Sequence, residues 1–167
     1  MFFCKPERSV KQTRLLLLVC VLATAGTFLI GSLIQKYSPL INLVGFAFLA
    51  VSILLVVRYS LTEMEYSFDN EDFTIIKKVG YRSQTVCCVS LSTAKDLITK
   101  AEYDALPREQ KAIIKYSLNQ NMFADSYVFL CDFNGKSCKI EFEPNAQFAA
   151  LLKAKIDETR ASAEALQ

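Results

Sequence analysis

The stretch that decides the fold is YVFLCDFNGKSCKIEF, residues 127–142. Two seven-residue runs rich in β-branched and aromatic side chains flank Asn134-Gly135. Both residues of a tight two-residue hairpin turn take positive φ, which Asn and Gly tolerate best, so this dipeptide predicts two antiparallel strands. A two-residue turn also sets Cys131 directly opposite Cys138, within cross-strand contact.

The same period-2 logic extends upstream. Thr62–Phe68 alternates polar and apolar residues, Phe73–Val79 and Gln84–Leu91 read as two further strands, and Ala94–Thr99 reads as a short fourth. Asp69-Asn70-Glu71-Asp72 is a turn cluster, and Gly80-Tyr81-Arg82-Ser83 breaks the second run from the third. Residues 102–121 read differently. Pro107–Leu118 fits an amphipathic helix with proline at its first position, and Ile113, Ile114, Tyr116 and Leu118 on this insert are the candidate partner surface. Pro144–Phe148 opens a last helix with Asn145 as its cap. Phe148, Leu151, Leu152 and Ile156 form one face of it that closes the sheet. The Ala-rich end, 159–167, is expected to fray.

The apolar excess lies at the front. Leu15–Ile34 is 20 residues without a charge and Leu40–Val57 another 18. As a helix the first spans roughly 30 Å, the thickness of a bilayer core. Neither run carries the polar stripe of a buried soluble helix. Ser38 and Pro39 suit a helix start, and Tyr37 and Tyr59 suit the membrane interface. The alternative is a signal peptide cleaved after Ala23-Thr24-Ala25, but the apolar run continues past that point. Lys5, Arg8, Lys11 and Arg14 precede the first run, only Lys36 lies between the two, and Arg58 follows the second. The positive-inside rule then sets both chain ends in the cytoplasm. Gly26, Ser32, Gly45, Ala47, Ala50 and Ser52 would let helices approach closely or support a homo-oligomer through the spans. No strict GxxxG occurs, however, and ordinary membrane-helix composition accounts for them.

The expected organisation is a basic N-terminus (1–14), a transmembrane helical hairpin (15–58), a cytoplasmic domain (59–158) and a tail (159–167). The class is an α+β membrane protein. The 59–167 segment holds 13 basic and 16 acidic residues. Together with a net charge of +2 for the whole chain, this argues against nucleic acid as a partner.

The order resembles the bacterial pleckstrin-homology-like (PH-like) domain family, in its membrane-anchored YcxB-like branch. The residues that carry the likeness are Tyr66–Phe73, Val89-Ser90-Leu91 before Ala94-Lys95-Asp96, and Tyr127–Leu130 through Phe142-Glu143-Pro144. It covers about 15–157. The resemblance implies a strongly bent antiparallel sheet or partly open barrel, plugged at one end by the C-terminal helix. It also implies a non-enzymatic scaffold or interaction role, with no catalytic residues to carry over. Eukaryotic relatives often bind phosphoinositides through basic residues in the first loop. Here that loop, Asp69–Asp72, is acidic and would repel a phosphorylated head group.

The remaining chemistry is sparse. Histidine is absent, which removes His-based nucleophile pairs and metal sites. The six cysteines show no CxxC spacing, so zinc is not expected and buried thiols in a reducing compartment account for them. Glu63, Glu65, Glu141 and Glu143 read as solvated strand faces. No cofactor is called for. Lys77, Lys78 and Arg82 form the nearest basic cluster and are the candidate contact to anionic lipid. A solvated strand end is the plainer account of them. The lipid bilayer and an unknown protein are the expected partners. The expected function is an inner-membrane protein presenting its domain for protein interaction or scaffolding, and the alternative is an anchored sensor of a lipid or small molecule.

Overall fold

The computed structural model describes residues 1–164 and divides into two compact units, Arg8–Thr62 and Met1–Glu7 with Glu63 onward. The expected tail falls partly outside the described residues. Thr159–Glu164 continues the last helix, and 165–167 are not described.

The Arg8–Thr62 unit is an antiparallel helix pair, α1 (Val10–Leu33) and α2 (Ser38–Val56), joined by a 3-10 turn. Both helical segments are long and apolar enough to cross a membrane. The first begins at Val10 rather than Leu15. Ser9 caps it by accepting a bond from the Gln12 amide at 3.4 Å, so Lys11 and Arg14 sit in its opening turns. Ser38 is already helical rather than the cap, and its hydroxyl accepts a bond from Asn42 at 3.3 Å, satisfying the polar residue of the second run. The helices come close at Gly31, where a Cβ would lie 2.5 Å from Asn42 Oδ1, and at Gly45, which faces the Phe28 ring. Gly26 has nothing within 4 Å. At the other end of this unit the Arg8 guanidinium donates to the Thr62 carbonyl at 3.1 Å.

The second unit holds two four-stranded sheets. One has the order β1-β2-β3-β4, built from Phe2–Cys4, Thr62–Phe68, Asp72–Val79 and Arg82–Ser90. The other has the order β5-β7-β8-β6, built from Ala94–Thr99 (β5), Ile114–Ser117 (β6), Tyr127–Phe133 (β7) and Lys136–Phe142 (β8). The sheets do not close into a barrel. The β3–β4 turn is only Gly80-Tyr81, with Gly80 at φ +58°, so the break predicted over four residues is a two-residue turn of Gly-first type. The Asn134-Gly135 turn has φ values of 51° and 72°, and Cys131 does face Cys138.

Two elements depart from the sequence reading. First, the N-terminus is not simply a basic leader. Phe2–Cys4 adds an antiparallel strand beside β2, pairing Phe2 with Phe68 and Cys4 with Tyr66. Second, the amphipathic helix expected within 102–121 is not formed over Pro107–Leu118. A short α3 (Lys100–Ala105) with a Thr99–Glu102 capping box gives way to a 3-10 turn, and then to β6. Strand β6 runs parallel to β8, so the second sheet is mixed rather than antiparallel. The amides of Ile113 and Leu118 donate to the carbonyls of Ser137 and Glu141. These non-local bonds override the local helical preference.

The core lies between the sheets and under α4 (Ala146–Glu164). Met64, Tyr66 and Phe68 of β2 and Phe73 and Ile75 of β3 meet Phe129, Ile140 and Phe142. Each fully buried large apolar side chain contributes on the order of 1.5–3 kcal/mol. Asn145 caps α4, its Oδ1 accepting from the Phe148 amide at 2.7 Å. Phe148, Leu152 and Ile156 are buried at four-residue spacing, as expected, and Ala149 joins them. Leu151 does not join them; it turns outward, 38% exposed.

Candidate functional site

Three places carry the chemistry of the sheet domain. The first is the gap between the sheets' free edges. Neither β4 nor β6 has a second strand partner. Between them Val86, Cys87, Val89, Tyr116, Leu118 and Phe133 line a cavity of about 170 Å³, floored by Cys131, Cys138 and Ile140. From Ser83 to Val89 the β4 edge carries no charge. A long uncharged edge strand is a template for pairing with another chain. The thiols facing the gap are held protonated. Burial, then the neighbouring Cys138 and Cys88, pushes Cys87 up to about 11. Burial, then Cys138, pushes Cys131 up to about 12. They are inert apolar lining rather than nucleophiles.

The four residues of the expected partner surface divide here. Ile113 is 74% and Tyr116 50% exposed, whereas Ile114 and Leu118 pack against the core. Along the strand Ile114, Tyr116 and Leu118 share one face, with Tyr116 half out at the mouth of the gap, and Ile113 precedes β6. The buried Tyr66 fixes this segment: its hydroxyl donates to the Leu118 carbonyl at 3.0 Å and accepts from the Glu143 amide at 3.3 Å.

The second place is a polar network on the outer face of the second sheet. Alternation along β8 assigns Glu141 to solvent, but it is only 6% exposed. Lys100, Tyr103 and Asn119, from the segments on either side of β6, lie over that face and cover it. Glu141 accepts from Lys100 at 2.7 Å and from Asn119 at 3.2 Å, and pairs with Lys139 at 3.2 Å. Burial raises its carboxyl pKa, but the hydrogen bonds and charges of Lys100 and Lys139 outweigh burial and hold it below the ordinary value. Lys139 also lies over the Tyr103 ring, 4.3 Å from its centroid. Glu143 is likewise engaged, accepting twice from Asn121. Both carboxylates are engaged in structural hydrogen bonds, and among the described residues no cluster suits a metal ion.

The third place is the tip of the β3–β4 hairpin. Register sets Lys77 opposite Gln84 and Arg82 opposite Val79, so Lys77 and Arg82 share one face. Lys78 lies on the other face, paired with Glu65. Between them Tyr81 stands fully in solvent, at 109% exposure. The sequence reading identified the three cations but not this aromatic. It also missed Val86 and Phe133 at the mouth of the gap, whose role depends on where β6 runs.

Two open sheets packed under a C-terminal helix have the architecture of a PH-like domain. The family model described as Bacterial PH-like domain (DUF6106) matches residues 4–160, and the chain belongs to that family. Comparisons with curated proteins and with solved structures gave no match.

Proposed function

We propose that the protein is a non-enzymatic membrane protein, related to the YcxB-like branch, that presents its PH-like domain at the cytoplasmic face for protein interaction. The observation that carries this reading is the uncharged β4 edge beside the cavity shared with Tyr116 and Phe133. Free edges flanking an apolar slot suit an incoming extended segment, whose backbone completes the ladder while alternate side chains fill the slot. At about 170 Å³ the slot is smaller than the 300–1,000 Å³ typical of small-molecule sites, so the sensor alternative would use instead the apolar cleft of about 550 Å³ between the helices, lined by Leu17, Cys20, Leu49 and Val56.

Membrane attachment is supported by the two apolar helical segments. The pairing of β1 with β2 supports two spans with both ends on one side, because these strands flank the helices in the chain. It also disfavours cleavage after Ala25, which would remove β1. The excess of Lys and Arg at the flanks over the single Lys36 of the turn supports the cytoplasmic side.

The test is site-specific photocrosslinking of the full chain in bacterial membranes, with the photoreactive residue at Tyr116 or Val86 and a control at Leu151. A discrete adduct at the first two positions alone supports an interaction surface. No adduct, together with a lipid or metabolite retained on purification, would replace this reading with the sensor.

A further inference from the structure

We infer that the β3–β4 hairpin tip is a second membrane contact, with Tyr81 as an interfacial anchor and Lys77 and Arg82 as contacts to anionic phospholipid. The inference rests on the two-span reading above and adds a site to it. Tyr81 is fully exposed at the apex of a two-residue turn, with Gly80 at φ +58°. Nothing in the fold explains an aromatic ring held clear of every neighbour. Tyrosine is enriched where one end of a ring meets acyl chains and the other meets headgroups.

The charges around it point the same way. Glu63 pairs with Lys5 and Glu65 with Lys78, so the acidic groups at this end of the sheet are neutralised. Among the described residues neither Lys77 nor Arg82 has an ion-pair partner, and they share one face of the hairpin.

Chain continuity supplies the location. β2 begins at Thr62, directly after the helical segment that ends at Leu61. The Lys78–Glu65 pair and the bond from Ser67 Oγ to the Thr74 carbonyl run β3 antiparallel to β2. The Val79 end of β3, and with it the Gly80-Tyr81 turn, therefore lies at the Thr62 end of β2. That end follows the span without a linker. Tyr81 is thus confined near the bilayer by the covalent chain, and the cations select negative headgroups.

The chain has no tryptophan, so Tyr81→Trp gives a single tryptophan that can be excited apart from the remaining tyrosines. The full-length variant would be placed in nanodiscs of phosphatidylcholine, and of phosphatidylcholine with phosphatidylglycerol. The expected result is blue-shifted emission, quenched by doxyl-labelled lipid, in the anionic discs. High salt and the added pair Lys77→Gln with Arg82→Gln should reverse it. Lys78 is left intact to spare its pair with Glu65. Water-like emission in both discs would overturn the contact, and equal shifts in both would overturn its anionic selectivity. A chain that fails to enter nanodiscs at all would overturn the two-span reading instead, and the contact with it.

Discussion

Cys4 lies directly opposite Tyr66 in an antiparallel strand pair, although both apolar helices separate them in the chain. Phe2 stacks on Phe68 at 5.1 Å in the same pair, and the buried Cys4 thiol accepts from the Asn145 amide at the start of α4. Three residues ahead of the helix pair thus help to close the domain behind it. Deleting Phe2–Cys4 should cost about 2 kcal/mol of apolar burial and lower the melting temperature by roughly 10 °C. Circular dichroism melts of the detergent-solubilised chain would measure this. An unchanged melt would remove β1 from the fold.

Glu141→Gln should destabilise the domain by about 3 kcal/mol at neutral pH, because it leaves the buried Lys139 without its counter-charge. The carboxyl titrates below its ordinary 4.5 in the folded chain. Its contribution is therefore complete above that value and lost as pH falls through the lowered folded value. Urea titrations at several pH values should find the parent and variant converging in acid. A constant difference down the whole range would mean that the charge is not the cause.

The cysteines should react unequally. Cys88 is exposed, whereas Cys4, Cys131 and Cys138 are buried and all three have raised thiol pKa values, led in each case by burial. Near neutral pH a maleimide should label Cys88 rapidly and the others only on denaturation, counted by intact mass. Rapid native labelling of Cys131 would contradict the packing of the gap.

Gly135→Val should cost about 1–2 kcal/mol, since φ of 72° is a left-handed conformation that a β-branched residue resists. The loss should appear in the urea midpoint, with the slope unchanged.

Gly31→Leu should loosen the helix pair, because even the Cβ would fall 2.5 Å from Asn42 Oδ1. Gly26→Leu should be tolerated, having nothing within 4 Å. Cysteine crosslinking between the helices would rank the two. Equal crosslinking yields would disprove close approach at Gly31.

Local signals made most of the architecture legible. Asn134-Gly135, the alternation of Thr62–Phe68, the Asn145 cap and the two uncharged runs each encode their structure in neighbouring residues. Elements fixed by distant partners stayed hidden. Phe2–Cys4 is too short to show a period, and its partner strand lies beyond both helices. Ile113, Ile114, Tyr116 and Leu118 satisfy a helical face and a strand about equally, and only the parallel register with β8 decides between them. Glu141 sits where alternation demands solvent, but Lys100 and Asn119, from the segments on either side of β6, cover it. The hairpin cations were legible as a cluster. Their division between two faces followed only from the register with β4.

The β1–β2 pair also orders events during synthesis. On the two-span reading, β1 leaves the ribosome before either helix and its partner only after both. The first sheet stays incomplete until the hairpin has been threaded through the bilayer. A chain inserted with a single crossing would strand β1 on the far side, leaving the β2 edge and Phe68 uncovered. On that reading, a complete first sheet requires both helices to have crossed.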